Sequence, residues 1–270
     1  MTNTSDRILP KLQAHKDIAV WSGGSPLEDI DVWFLHGFGE SHLCFRDAFA
    51  HPLAERMRIF LFDCPGCGAS PPRQTGLTIE DAAELCRDLI ESFSSSRRIV
   101  LVGHSVGAII ATRMALMRDF SPGLVISVEG NLTRADAYFS GQAANFDEPE
   151  AFYAWLRSKI REKEADGEVF RRYSCSLELA DPRTLWTLGR SVIGYPNPGQ
   201  DFLGLTCPSI YYWDPASTTD AAKQFLDGNG VRQRKLEGLG HWPMITSPSQ
   251  FYAAVEQDVL STGGADAQVC

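Results

Sequence analysis

The 270-residue chain is 44% hydrophobic, so it can bury a core large enough for one domain or for one domain carrying an insertion. Its 25 basic and 34 acidic residues give a formal net charge of -9, and the basic residues form no cluster longer than a pair. Because binding to phosphates needs a concentrated basic surface, this balance argues against nucleic acid or an anionic membrane as the partner.

The sequence carries no targeting or membrane signal that we can identify. Residues 1–16 lack the apolar core of a secretory signal, and no stretch approaches the roughly 20 apolar residues of a membrane span. Seven cysteines, an odd number, are scattered without a disulfide framework, which suits a reducing compartment. We therefore predict a cytoplasmic protein.

Redox and metal sites are not favoured by the cysteine and histidine patterns. Cys64 and Cys67 form a C-x-x-C motif, but no helix-forming segment follows it directly, as a thioredoxin-like site requires. The six histidines show neither an H-E-x-x-H motif nor a paired-cysteine spacing. The sequence therefore predicts no metal site.

The first half of the chain alternates short hydrophobic runs with segments of helical length. The predicted strands cover residues 31–35, 58–62, 99–103 and 124–128. The predicted helices cover residues 41–56, 78–93 and 106–117. This alternation predicts a parallel sheet with helices on both faces, in which ligands bind at the carboxyl ends of the strands.

Strand signals stop between residues 131 and 204, where charged and aromatic residues are frequent and helical stretches cover 148–165 and 182–193. The alternation then resumes, with strands predicted at 209–213 and 232–236 and helices at 218–226 and 248–260. We therefore predict an α/β core made of residues 1–130 and 205–270, and a helical cap made of residues 131–204 that covers the strand ends.

One pentapeptide, Gly103-His104-Ser105-Val106-Gly107, lies between a predicted strand and a predicted helix. It has the pattern G-x-S-x-G, in which a serine occupies a sharp and strained turn and projects its hydroxyl above the sheet. The flanking glycines allow the strand and the helix to pass close together. This context predicts that Ser105 is a nucleophile.

Four motifs in chain order resemble those of the α/β-hydrolase superfamily, and the resemblance covers nearly the whole chain. Residues 36–39 are similar to the family's H-G-x-G oxyanion loop, 63–70 to its D-x-P-G-x-G-x-S turn, 103–107 to its nucleophile elbow and 238–243 to its histidine segment. The resemblance implies an α/β-hydrolase fold, with a mostly parallel central sheet flanked by helices and an inserted helical cap.

A serine hydroxyl is a poor nucleophile at neutral pH, so a nearby imidazole must accept its proton. His241 is the only histidine after His104, which leaves one candidate for this base. We expect His104 to pack or to support the site, and His36 to fix the oxyanion loop. The resemblance places the oxyanion-hole N–H groups on Phe38 and Val106.

Two carboxylates are candidates for the acid of the triad. Asp214 lies 27 residues before His241, but the usual pattern places more residues between strand and acid, and Ser217 is nearest that register. Glu129 lies 24 residues past Ser105 at the tip of an apolar strand, where an unpaired charge would be costly. We favour Glu129 and keep Asp214 as the rival acid, with the other carboxylate capping a loop or lying on the surface.

Aromatic residues in the cap and beside the histidine are the candidates for substrate binding. They are Tyr138, Phe139, Trp155, Trp186 and Trp242. They predict a mainly apolar, uncharged small-molecule substrate, such as an ester or lactone, cleaved through an acyl-enzyme without a cofactor. The alternatives are carbon-carbon bond hydrolysis, acyl transfer or perhydrolysis on the same scaffold, or a ligand-binding receptor or regulatory protein that keeps the triad. No pattern specifies an oligomeric state.

Overall fold

The computed structural model describes residues 10–25, 27–94 and 97–263. Within these ranges one sheet has the strand order β1-β2-β4-β3-β5-β6-β7-β8. The strands are β1 (Lys11–His15), β2 (Ile18–Gly24), β3 (Ile30–Leu35), β4 (Arg58–Phe62), β5 (Arg98–His104), β6 (Leu124–Val128), β7 (Ser209–Trp213) and β8 (Gln233–Lys235). The pairs β1/β2 and β2/β4 are antiparallel and the others are parallel, so the strands that bear predicted site residues all end at one edge.

The helices of the described ranges flank this sheet and cover its carboxyl edge. They are α1 (Ile79–Ser94), α2 (Val106–Ala115), α3 (Pro149–Glu162), α4 (Glu168–Leu177), α5 (Pro182–Gly194), α6 (Pro198–Leu203), α7 (Asp220–Asn229), α8 (Pro243–Thr246) and α9 (Pro248–Gly263). None of them combines the length and the apolar character needed to cross a membrane.

Strand β5 contributes to hydrophobic cores on both faces of the sheet. Leu101 belongs to a core that includes residues of α1, α2 and the helices between β6 and β7. Val100 and Val102 point to the opposite face, where the second core includes residues of α9. Because successive side chains of a strand alternate between faces, a continuous apolar run is what a strand covered on both sides requires.

The helix expected over residues 41–56 is absent. The described chain instead forms three short 3-10 helices, His42–Cys44, Arg46–Ala50 and Pro52–Glu55. Pro52 has no N–H to donate and restricts the preceding residue, and His51 has the extended backbone angles φ -86° and ψ 149°. Helical length alone therefore overestimated the regularity of this segment.

The segment between β6 and β7 forms helices α3 to α6 together with several 3-10 helices. We call residues 131–204 the cap. Buried side chains of the cap, such as Phe152, Leu156 and Leu185, continue the core that α1 and α2 form with the sheet. Residues 131–204 therefore share this core with α1 and α2. Residues 1–9 and 264–270, the ends of the predicted core, lie outside the described residues.

Candidate active site

Ser105 lies at the turn between β5 and α2, with φ 51° and ψ -118°. A non-glycine residue with positive φ stores strain of about 1–3 kcal/mol. A Cβ on Gly107 would lie 2.3 Å from the Leu35 carbonyl oxygen, and one on Gly103 would lie 2.5 Å from the Gly107 oxygen. Both flanking positions therefore need glycine for the strand and the helix to pass, as the motif predicted.

A cavity of about 540 Å³ lies between the strand ends and the cap, and Ser105, Glu129 and His241 all line it. These three residues come from the ends of β5 and β6 and from the loop before α8. The sheet thus brings together side chains that are 24 and 112 positions apart in sequence. It brings Phe38 and Trp242 to the same cavity.

Glu129 is buried and faces His241. Its Oε2 lies 3.4 Å from His241 Nδ1, while its Oε1 accepts the Asp214 N–H at 2.6 Å and the Thr218 hydroxyl at 2.9 Å. Its own N–H donates to the Tyr212 carbonyl at 2.9 Å, which holds a backbone with φ 47°. This carboxylate is oriented by the neighbouring strand end, with one oxygen directed to the imidazole.

Asp214 is also buried, but its carboxylate faces backbone groups. Its Oδ1 accepts the Ala216 N–H at 3.0 Å, and its Oδ2 accepts the Gly240 N–H at 2.5 Å. Burial opposes ionisation, but these N–H groups and that of Gly238 outweigh it and lower the pKa of Asp214. No hydrogen bond joins Asp214 to the imidazole of His241 within the described ranges, so it fixes the loop that precedes His241.

The hydroxyl of Ser105 makes no hydrogen bond to any other described residue, although Ser105 and His241 line the same cavity. The Nδ1 of His241 is directed to Glu129, which leaves Nε2 as the ring nitrogen that can act on the serine. Hydrogen bonds between catalytic groups are often long in an unliganded enzyme and shorten when substrate binds. The arrangement therefore fits a nucleophile and its base.

The two predicted oxyanion donors follow the carboxyl ends of β3 and β5. Val106 is the first residue of α2, and Phe38 follows β3 by three positions. Neither N–H donates to another group in the part of the chain that the structure describes. Since the first N–H groups of a helix are unsatisfied and carry partial positive charge, Val106 suits an anionic oxygen.

His36 holds the loop that carries Phe38. Its Nδ1 lies 2.9 Å from the Gly37 carbonyl oxygen, and its Nε2 accepts the Cys64 N–H at 3.0 Å. A carbonyl oxygen can only accept, so Nδ1 carries a proton. The geometry fits the supporting role that was expected of His36, and it ties the oxyanion loop to the turn after β4.

Three of the five aromatic residues predicted to bind substrate line the cavity: Tyr138, Phe139 and Trp242. The structure places the other two inside the cap. Trp186 donates its indole N–H to the Phe146 carbonyl at 2.9 Å, and the Trp155 ring lies 5.7 Å from the Phe146 ring. Aromatic residues on amphipathic cap helices here pack against one another, so these two do not reach the cavity.

Sequence reasoning missed several residues that line the cavity: Glu40, Lys163, Phe170, Tyr173 and Tyr211. Tyr173 donates its hydroxyl proton to the Phe38 carbonyl at 2.8 Å, so it supports the oxyanion loop from the cap. The helix that carries Tyr173 was not predicted. A hydrophobic periodicity over residues 168–177 is the one signal that could have indicated it.

A protein-family model described as "Alpha/beta hydrolase family" matches residues 34–255, which is most of the chain. The chain belongs to the alpha/beta hydrolase family. The predicted α/β-hydrolase fold is confirmed by this match together with the mostly parallel sheet.

Several known proteins resemble this hydrolase over most of their length. An abhydrolase domain-containing protein of Schizosaccharomyces pombe is 24% identical over 259 residues, which cover 85% of this chain and 70% of that protein. A thermophilic esterase from Thermogutta terrifontis is 14% identical with a TM-score of 0.73, over 94% of this chain and 98% of that chain. The N-acyl homoserine lactonase AidH is 16% identical with a TM-score of 0.73, over 94% and 97% of the chains.

Proposed function

We propose that this chain is a serine hydrolase that cleaves a small, largely apolar ester or lactone through an acyl-enzyme intermediate. The observation that carries the proposal is one cavity lined by both a strained Ser105 and His241, with the buried Glu129 carboxylate directed at the imidazole. The similarity in fold to an esterase and to a lactonase is consistent with this chemistry.

Acylation begins with attack by the Ser105 oxygen on the carbonyl carbon of the substrate. His241 Nε2 accepts the hydroxyl proton as the new C–O bond forms, and Glu129 stabilises the resulting imidazolium. The negative charge moves to the former carbonyl oxygen, where the N–H groups of Phe38 and Val106 stabilise it. When the tetrahedral intermediate collapses, the C–O bond to the alcohol breaks and His241 returns the proton to that alcohol.

Deacylation repeats these steps with water. His241 takes a proton from a water molecule, and the hydroxide attacks the acyl carbon of the ester on Ser105. Collapse of the second tetrahedral intermediate breaks the bond to the serine oxygen, which recovers its proton from His241. The products are a carboxylic acid and the free enzyme, and a lactone gives one hydroxy acid. No cofactor enters either half of the reaction.

The lining of the cavity supports a small and largely apolar substrate. A volume of about 540 Å³ holds a molecule of modest size, and ligand pockets commonly span about 300–1,000 Å³. Phe38, Tyr138, Phe139, Phe170 and Trp242 give it aromatic surface, beside polar residues such as Asp136, Lys163 and Thr219. An acyl chain or an aromatic ring can pack on these rings while the carbonyl lies at the elbow.

The test is a panel of p-nitrophenyl esters of short acids, aryl esters and lactones, assayed with wild type, Ser105→Ala and Ser158→Ala. Ser158 is exposed on α3 outside the cavity lining, so its loss controls for the substitution itself. We expect repeated turnover that only Ser105→Ala abolishes. A single stoichiometric burst in wild type, or turnover that persists in Ser105→Ala, would contradict the proposal.

A further inference from the structure

We propose that Glu40 and His104 form a buried ion pair that positions the nucleophile elbow, the oxyanion loop and the segment of the catalytic histidine relative to one another. The inference rests on the proposed function, since it assigns to these two residues the positioning of that same site. Neither residue is a member of the triad.

The Glu40 carboxylate is buried, with 3% of the residue exposed, and it accepts hydrogen bonds from separate segments. Its Oε2 accepts the Gly37 N–H at 2.7 Å and lies 2.9 Å from His104 Nδ1. Its Oε1 accepts the indole N–H of Trp242. The Cys44 thiol also hydrogen-bonds to this carboxylate. Burial, followed by the Glu40 charge, raises the pKa of the thiol, so the thiol stays protonated. Glu40 is therefore a fully partnered acceptor.

The hydrogen bonds of His104 require a charged ring. Its Nε2 lies 2.8 Å from the His241 carbonyl oxygen, which can only accept, so this nitrogen carries a proton. Its Nδ1 faces the Glu40 carboxylate, and an ionised carboxylate can only accept, so this nitrogen is a donor too. Two donating nitrogens make an imidazolium.

The pKa values of the two groups agree with this assignment. Burial lowers the pKa of His104, but the adjacent Glu40 carboxylate reverses that effect and raises it. Burial likewise raises the pKa of Glu40, and the His104 charge together with the N–H donors outweighs it and lowers the pKa to about 2. Each ion therefore keeps the other ionised in a buried place.

The pair lies where three active-site segments meet. Gly37 belongs to the oxyanion loop, His104 immediately precedes the nucleophile, and His241 supplies both the base and the carbonyl that accepts from His104. A Cβ on Gly37 would lie 2.9 Å from both Glu40 Oε2 and His104 Nδ1, so glycine is needed there for the contact.

A buried ion pair contributes little net stability, because desolvation offsets the attraction between the charges. Its main consequence here is therefore geometric. In enzymes, a displacement of about 1 Å in a catalytic group costs about 100-fold in rate. Loss of the pair should loosen the relative positions of the serine, the imidazole and the oxyanion N–H groups.

The kinetic test uses Glu40→Gln, His104→Gln and the double variant with a p-nitrophenyl ester that the wild type turns over. We expect each single variant to lower kcat about 10- to 100-fold, with KM changed by less than about threefold. Because the two side chains act as a unit, the double variant should be no slower than the slower single variant. Independent multiplication of the two losses, or a kcat equal to wild type, would overturn the pairing.

The control variant is Asp258→Asn. Like Glu40, Asp258 is a buried carboxylate that accepts hydrogen bonds from other side chains. Asp258 accepts the Tyr212 hydroxyl and is bonded by Arg234 at 2.7 Å, and it lies outside the cavity lining. We expect Asp258→Asn to lower Tm while kcat stays at the wild-type value. A fall in kcat as large as that of Glu40→Gln would show that the kinetic loss only reflects damage to a buried charge.

A spectroscopic measurement can be made on the wild type, so it does not depend on whether a variant folds. The ¹⁵N resonances of the His104 ring at pH 7 should show both nitrogens protonated, whereas a folded Glu40→Gln should show one. A neutral His104 in the wild type overturns the ion pair. Absence of wild-type turnover instead contradicts the proposed function, so the two failures are distinguishable.

Discussion

The loops at the strand ends and the cap face each other across the cavity, and they are built differently. The loops carry buried ionisable groups that are fixed by several hydrogen bonds each, as for Glu129 and Glu40. The cap faces the cavity mainly with aromatic side chains, and its ion pairs, such as Arg157 with Glu178, lie near the surface. Under the proposed function, this contrast predicts that changes in the loops alter kcat and that changes in the cap alter KM.

The largest effect should come from Glu129→Gln. The amide N–H₂ facing His241 Nδ1 favours the wrong imidazole tautomer, and the corresponding change in the protease triad lowers kcat about 10⁴-fold. We expect a loss of about 10⁴-fold in kcat, measured on a p-nitrophenyl ester, with little change in KM.

Asp214→Asn is the matched control for that variant. It disturbs the loop that holds Gly240, so we expect a lower Tm and a loss in kcat of no more than about 10-fold, because the acid that bonds His241 remains. The reverse ranking of the two variants would make Asp214 the acid of the triad and would contradict the geometric assignment.

Trp155→Ala should affect stability without affecting affinity. The Trp155 ring packs against Phe146 and Phe152 inside the cap, and it does not line the cavity. We expect the free energy of unfolding to fall by about 2–3 kcal/mol, below the range for a fully buried tryptophan, because the ring is partly exposed. Urea denaturation measures the loss. A change in KM above threefold would contradict the assignment of Trp155 to packing inside the cap.

Phe139→Ala should affect affinity instead. Phe139 lines the cavity and contacts Tyr138, so its removal takes apolar surface from the substrate site. Loss of a hydrophobic contact in a pocket costs about 1–3 kcal/mol, so we expect KM for an aryl ester to rise about 10-fold with kcat nearly constant. Steady-state kinetics gives both values, and a selective loss in kcat would place Phe139 in the chemical step.

The smallest effect should come from Glu178→Gln on the cap surface. The adjacent Arg157 lowers the pKa of Glu178 from its ordinary 4.5, so this pair stabilises the fold above about pH 4.5 and stops doing so as the pH falls through the folded pKa. Since the side chains are exposed, we expect a small decrease in Tm at pH 7 that vanishes in about 1 M salt and at low pH. If the decrease in Tm persists in high salt, Glu178 stabilises the fold by something other than its charge.

The sequence predicted the elements around the nucleophile well, because their signals are local. The strand before Ser105, the turn and α2 follow from an apolar run, two glycines and a helical composition within about twenty residues. The prediction of one helix over residues 41–56 was wrong, because it rested on the length of the segment and Pro52 interrupts it. The antiparallel strands β1 and β2 were not predicted, and β1 is mostly exposed, so it lacks the buried apolar run used to find the others.

The choice between Glu129 and Asp214 shows the limit of sequence reasoning. Both residues follow the ends of the neighbouring strands β6 and β7, where Val128 lies opposite Tyr212 in register. The local sequence predicts that both carboxylates lie at the same edge of the sheet. Only the folded loops direct one carboxylate to an imidazole and the other to backbone N–H groups.

By itself the sequence determined the fold class and predicted Ser105 as the nucleophile and His241 as the base, because each depends on a motif whose residues are adjacent in the chain. Tertiary structure alone decided the orientation of Glu129, the exclusion of Trp155 and Trp186 from the cavity, and the burial of Glu40. A glutamate in a glycine loop is ordinarily hydrated. It becomes a buried ion here because residues 64 and 202 positions further along the chain supply its donors, and no local pattern records such distant partners.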